Sequence, residues 1–371
     1  MKKIIYQVML LFLCLILSGW GYKGHRIINQ NTANFFPATL SYLKPNWTNI
    51  MTLYASEADN RKDTDPTESP KHYIDIDNYP EFVLNGQISQ VFDSVVDVHG
   101  YAFVIDQGIL PWATLITFDS LKACFARHDW EKSALFAADL GHYVGDGHMP
   151  LHLTRNYDGQ YSGQSGIHSR YESKMVSRYE SQLVYLADSV NFIPDVTDFV
   201  FSYIYTDYGY VDSVLIADSG ARAIAGNVTS DAYYQALWAK SGPFTIYLLR
   251  HASQALASLI YTAWVQAGSP VIYPNAMDDL TLDLNTRILQ NYPNPVKGST
   301  IIPVEIIKKE KINLSILDVA GRLKEVLLDQ EMQPGISEVL LNAGTYPDGI
   351  YFIVLKTGGG KMISKSFTVK N

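Results

Sequence analysis

Two histidine–carboxylate pairs within 31 residues constrain this chain more than any other feature. His142 and Asp146 are four apart, as are His168 and Glu172, so each pair falls on one face of a helix. His152 follows Asp146 by six residues, after Met149-Pro150 bends or ends the first helix. Imidazole and carboxylate at one-turn spacing are a standard grip on zinc. A single pair is more often a surface hydrogen bond. Two pairs and a further histidine so close together point to metal. Asp59 and His72 flank a polar loop and are placed to complete the set.

The pattern around this segment is helical from about residue 20 to 270. Trp130 to His152 carries Ala, Leu and Phe at helical spacing, with Asp129 as a cap. Residues 170–188, 213–227 and 230–267 repeat that pattern, broken by Gly-containing joints, and 56–80 and 153–167 read as loops. There is no internal repeat. Past Pro270 the apolar positions alternate instead, as in Ile312-Asn313-Leu314-Ser315-Ile316-Leu317 and Ile350-Tyr351-Phe352-Ile353-Val354-Leu355. Val319-Ala320-Gly321-Arg322 and Pro347-Asp348-Gly349 supply turns. The expectation is an all-α domain over 20–267, a linker over 268–288 and a small all-β sandwich over 289–371.

Charge is divided unevenly between the two. Residues 20–285 hold 16 Lys/Arg against 29 Asp/Glu, and residues 286–371 hold 11 against 8. So acidic a body lacks the basic footprint of a sequence-reading DNA-binding protein, yet it can take a phosphate if metal ions bring positive charge. With only Cys14 and Cys124, a disulfide scaffold and a cysteine-rich zinc finger are excluded. Lys2 and Lys3, the apolar run Met9 to Leu17 and then Ser18-Gly19 read as a signal peptide over 1–19, whose removal makes Trp20 the first residue. No other stretch of 18 apolar residues follows, so the mature protein is expected to be soluble.

The β segment resembles the sorting domain of type IX secretion substrates. The matching pieces are Leu289-Gln290-Asn291-Tyr292-Pro293-Asn294-Pro295, Ile316-Leu317-Asp318-Val319-Ala320-Gly321-Arg322, Asp348-Gly349-Ile350-Tyr351-Phe352 and Lys365-Ser366-Phe367-Thr368-Val369-Lys370. The resemblance implies an address read by the secretion machinery, with no chemistry of its own and a secreted or cell-surface destination. The alternative for such a sandwich is a generic carbohydrate-binding module.

The body carries Trp20-Gly21-x-x-Gly24-His25, Ala58-Asp59, His72-Tyr73, His142-x3-Asp146-x5-His152 and His168-x3-Glu172. Over roughly 20–265 these resemble the superfamily that joins bacterial zinc-dependent phospholipase C to the single-strand-specific zinc nucleases. The resemblance implies an all-α fold, three zinc ions and hydrolysis of a phosphodiester, with no obligate protein partner. Carried over residue by residue, Asp59, His72, His142 and Asp146 hold one zinc. Trp20, through its amino group and carbonyl, holds a second with His25 and the shared Asp146. His152, His168 and Glu172 hold the third. Asp59 and Asp146 thereby enter the catalytic set, with Lys62 where the nucleases carry a phosphate-facing basic residue. Two zinc ions sharing Asp146 can activate water, and the third can bind the substrate phosphate.

The substrate is drawn two ways. The short spacing from Trp20 to His25 is that of the nucleases, whereas Gly166-Ile167-His168-Ser169-Arg170-Tyr171-Glu172 follows the phospholipase C pattern. The phospholipase C-like reading leads, a single-strand-specific zinc endonuclease/3'-nucleotidase follows, and a non-catalytic zinc-binding secreted protein comes last. His148 points off the His142/Asp146 face and is expected to be exposed or to lie behind the ligands. His99 reads as structural or behind the ligands, Tyr73 as core packing or a stacking surface, and His128 and His251 receive no role.

Overall fold

The structure is a computed structural model that describes residues 21–62, 64–184, 190–271, 286–289, 291–333 and 335–370. The signal segment and Trp20 lie outside the described residues, as does most of the linker. Among the described residues no helix is long and apolar enough to cross a membrane.

The helical part is organised around the Trp130–Gly147 helix. Asp129 caps it by accepting from the Lys132 amide. It stops at Gly147, and Pro150–His152 forms a separate 3₁₀ turn, so the expected break at Met149-Pro150 is real. Gly141 and Gly145 lie one turn apart and let side chains of the Gly21–Thr32 helix lie directly against the central helix. A Cβ on Gly141 would sit 1.9 Å from Asn29 Oδ1, and one on Gly145 would sit 2.9 Å from His25 Nδ1. Asn29 is fully buried and its amide donates to the Met51 and Ala138 carbonyls at 2.9 and 3.2 Å. It thereby ties Gly21–Thr32 to Lys44–Leu53 and to the central helix.

Behind these runs the 36-residue helix Asp231–Gln266, capped by Ser230. It is one element, as the sequence pattern over 230–267 leads one to expect, with Pro243 inside it. Residues on both sides of the proline, Tyr233 and Leu237 before it and Leu248 and Leu256 after it, are buried in the same core and hold it together. A second apolar cluster, with Tyr79, Trp112, Phe201 and Ile204, lies on the other side of the site. The stretch 56–80, expected to be loop, contains the Glu57–Arg61 helix and two short 3₁₀ turns.

The β domain comprises β1 (Arg287–Ile288), β2 (Tyr292–Lys297), β3 (Ser299–Ile306), β4 (Glu310–Asp318), β5 (Leu323–Met332), β6 (Gly335–Asn342), β7 (Gly349–Thr357) and β8 (Met362–Val369). The first strand begins inside the stretch expected to be linker. β1, β2 and β6 pair antiparallel with β3, and β5-β4-β7-β8 form a second antiparallel run. The two meet at a parallel β2–β8 contact, Val296 opposite Val369. Alternation works as the sequence suggests: Leu314 lies opposite Leu355 and Ile316 opposite Ile353, all buried.

This domain is seated on the helical one. Arg287 donates to Glu57 and to the Leu53 carbonyl, and lies over the Tyr54 ring. Glu305, 1% exposed, is gripped by Arg26 at 2.9 Å and by Arg287 at 2.7 Å. Lys365 donates to Asn60 Oδ1 at 3.1 Å.

Candidate metal centre

Three backbone segments bring the sequence-derived ligands together. The Glu57–Arg61 helix carries Asp59, the 3₁₀ turn Ser69–His72 carries His72, and the central helix presents His142 and Asp146 from successive turns. His72 Nδ1 lies 3.0 Å from Asp146 Oδ2, 3.0 Å from His142 Nε2 and 3.6 Å from Asp59 Oδ1. His142 Nε2 is 3.3 Å from Asp146 Oδ2 and 3.7 Å from Asp59 Oδ1. All four side chains are buried.

The second oxygen of Asp146 faces the other way. Oδ1 lies 3.4 Å from His25 Nε2 and 3.4 Å from His152 Nδ1. His25 stacks on His142 at 3.7 Å between ring centroids, and donor atoms of His25, Asp59 and His142 converge within 4.8 Å. A third cluster joins His152, His168 and Glu172: the two Nε2 atoms are 3.3 Å apart, and Glu172 Oε2 is 3.1 Å from His168 Nε2 and 3.7 Å from His152 Nε2. His168 sits on the short helix Ile167–Ser169, whereas Glu172 is on the π-helical turn Arg170–Met175 that continues it. Wide turns of this kind often occur at functional sites.

The pattern of ring protons identifies what these clusters suit. His142 Nδ1 donates to the Ala55 carbonyl at 2.8 Å, His152 Nδ1 to the His72 carbonyl at 2.5 Å, and His168 Nδ1 to the Tyr157 carbonyl at 3.0 Å. Each neutral ring therefore turns an Nε2 lone pair inward, toward other lone pairs and carboxylate oxygens. Among the described residues, both nitrogens of His25 and Oδ1 of Asp146 are buried without a hydrogen bond. Acceptors that converge in a buried space need a cation between them.

The electrostatics agree. Burial works against charge on His142, yet Asp146 and Asp59 outweigh it and push its pKa up to about 9. Burial likewise opposes charge on His168, and Glu172 raises it to about 9. The carboxylate field that draws a proton onto these rings also draws a metal ion. His25 is lowered to about 4 by burial and by His142. Burial would raise Asp59, but Lys62, His142 and His72 hold it well below the usual carboxylate range. Lys62 is itself buried, with Nζ 2.7 Å from Asp59 Oδ1, so in this structure it faces the carboxylate.

Of the two alternatives for His148, exposure is excluded. The side chain does point away from the ligand face, but it is fully buried, because the Val196–Tyr208 helix covers that side. Its Nδ1 donates to the Val144 carbonyl, its ring stacks on Tyr203 at 4.4 Å, and Nε2 lies 3.8 Å from Asp207 Oδ2. Burial lowers His148 to about 3 and raises Asp207 to about 8. His99 is structural, 2.8 Å from Glu81 and against the Tyr79 and Phe103 rings. Tyr73 donates its hydroxyl to the Asp106 carbonyl at 3.2 Å. His128 and His251 are exposed and join no cluster. One buried carboxylate beside the site escaped the sequence reading. Glu68 lies 3.5 Å from His72, at the same i,i+4 spacing that singled out the other pairs.

Residues 290–370 match the family described as Secretion system C-terminal sorting domain, which covers nearly all of the β domain. The protein therefore engages type IX secretion and is secreted or displayed at the cell surface. A probable serine protease of Bradyrhizobium tropiciagri is 26% identical over 216 residues, 50% of this chain and 27% of that protein. The chain thus spans about a quarter of the length of that curated relative. Among solved structures, an alpha toxin from Clostridium absonum aligns with 94% of this chain and 98% of its own, at 12% identity and a TM-score of 0.40. The alpha-toxin of an avian Clostridium perfringens strain aligns over 96% and 99%, at 11% identity and a TM-score of 0.39.

Proposed function

We propose that the helical domain is a secreted zinc-dependent phosphodiester hydrolase of the phospholipase C type. The observation that carries this reading is the inward convergence of imidazole nitrogens and carboxylate oxygens in three buried groups. Asp59, His72, His142 and Asp146 would hold one zinc ion, and His152, His168 and Glu172 another. His25 and the far oxygen of Asp146 would hold a third with Trp20, whose amino group is freed by signal cleavage and which lies outside the described residues. Zinc in such sites supplies Lewis acidity that polarises a phosphoryl oxygen and makes water nucleophilic near neutral pH.

The chain's own groups prepare the site. The Ala55, His72 and Tyr157 carbonyls fix three ring orientations, as partners behind metal ligands do. Lys62 keeps Asp59 ionised, and Asp146 presents one oxygen to each side of the central cluster. Glu172 in the last ligand position favours a phospholipid substrate, whereas the short spacing from Trp20 to His25 favours single-stranded nucleic acid. Elemental analysis of the mature protein should return three zinc ions per chain, and one or none would sink the reading. Hydrolysis of bis-p-nitrophenyl phosphate separates an enzyme from a non-catalytic zinc binder. Phosphatidylcholine and single-stranded DNA assayed side by side then decide the substrate, with turnover of phosphatidylcholine expected to be the faster.

A further inference from the structure

Among the proposed ligands His72 is unusual in what stands behind its ring. His142, His152 and His168 place their second nitrogen on a neutral backbone carbonyl. His72 instead turns Nδ1 into the cluster and Nε2 toward Glu68 Oε1, 3.5 Å away, with no other partner for Nε2 among the described residues. A metal on Nδ1 takes that lone pair, so the ring's one proton must reside on Nε2 and face the carboxylate.

Glu68 is 1% exposed and is held from three directions. Arg61 reaches it at 3.3 Å from the helix that carries Asp59. Lys71 reaches it at 2.8 Å from the turn that carries His72. Tyr143, the residue after His142, donates its hydroxyl to Oε1 from the central helix. The segments that supply all four proposed ligands of the first ion thus converge on one carboxylate. Two of these donors, Arg61 and Lys71, are cations that form ion pairs with the carboxylate.

We propose that Glu68 is a positioning residue for the first metal ion: it fixes the His72 ring with Nδ1 inward, makes that nitrogen a stronger ligand, and registers the three ligand-bearing segments against one another. The inference rests on the metal reading above and adds a residue to it. An anionic partner behind an imidazole ligand raises its basicity, and loss of such a partner commonly weakens metal binding roughly 10–100-fold.

The test compares full-length mature protein with Glu68→Gln, which keeps size and an acceptor but removes the charge. Zinc affinity is read by competition with a chromogenic chelator, and zinc content by elemental analysis. Glu68→Gln should weaken one ion by about 10–100-fold while the ion of the His152, His168 and Glu172 group stays bound. Wild-type affinity at every site would overturn the role, and so would equal weakening at all sites together with a lowered melting temperature of the zinc-free protein, which marks a purely structural part. A measurement on the wild-type protein does not depend on whether the variant folds. Long-range proton–nitrogen correlation in the zinc-loaded form should place the His72 proton on Nε2, and a proton on Nδ1 would overturn the proposal. Wild-type protein that takes up no zinc would instead remove the metal reading itself, and the role of Glu68 with it.

Discussion

In the helical domain Asp59, Glu68, Asp146, Glu172, Asp207 and Asp218 are all buried, whereas among the described residues of the β domain Glu305 is the one buried carboxylate. That single carboxylate points out of its own domain, into the grip of Arg26 from the other. The β core is apolar, with Ile302, Val304, Ile312, Leu314, Ile316, Ile353 and Leu355 packed beside the rings of Tyr351 and Phe367. Removing an ion from water costs several kcal/mol unless partners compensate. A fold that accepts the cost so many times in one domain is organised around those groups, while its neighbour is organised around hydrophobic contact and has only a surface to offer.

The sharpest way to break the contrast is at Asp146. Asp146→Asn should disturb two metal sites at once and lower turnover on the order of a thousandfold, the scale of several kcal/mol of Lewis-acid stabilisation. Glu172→Gln touches only the third group and should cost less. Equal residual rates at equal zinc content would contradict the bridging position of Asp146.

At the domain boundary, Glu305→Ala leaves Arg26 and Arg287 facing each other without their shared carboxylate. Breaking a buried pair in this way costs about 3 kcal/mol. Calorimetry should show the β domain melting earlier and apart from the helical one. A single unchanged transition would mean that the interface contributes little.

Asp75 tests buried charge away from the metal ligands. Burial, with Asp77 and Asp106 nearby, raises its pKa from 3.8 to about 7. Its folded-state pKa lies above the unfolded one, so its contribution to stability is full below about pH 4 and is lost as pH rises through about 7. Asp75→Asn imitates the protonated form and should gain on the order of a few kcal/mol at pH 8, since the shift spans about three pKa units at about 1.4 kcal/mol each. Denaturant melts at pH 4 and pH 8 check this, and a gain that is the same at both would refute it. The smallest effect is expected on the β surface: Glu331→Gln removes the exposed Lys309–Glu331 pair and should change stability by less than about 0.5 kcal/mol.

Much of the site was legible because its chemistry fixes spacing. His142 and Asp146, and His168 and Glu172, need one helical turn, and the turn survives even where the second pair straddles a helix and a π-turn. The domain split was legible because apolar period changes from helix to strand near Pro270. Glu68 stayed hidden because residues 56–80 read as loop, and in a loop a four-residue spacing has no geometric meaning. For His148 the sequence left exposure and burial behind the ligand face both open, because one helix's periodicity does not show that a second helix covers its other side. The glycines at 141 and 145 were visible as a motif, but their use, to admit Asn29 and His25, appears only once a second helix is laid against them.

The seating of the β domain also sets an order of events. Arg26 and Glu305 are 279 residues apart in the chain, Glu57 and Arg287 are 230 apart, and Asn60 and Lys365 are 305 apart. As the polypeptide emerges from its N-terminus, the helices that carry Asp59 and His25 exist long before the surface that covers their flank. Contacts between such distant residues close the largest loops and therefore come late in folding. The segments that carry the candidate metal ligands come together first, and the β surface closes over their flank afterwards.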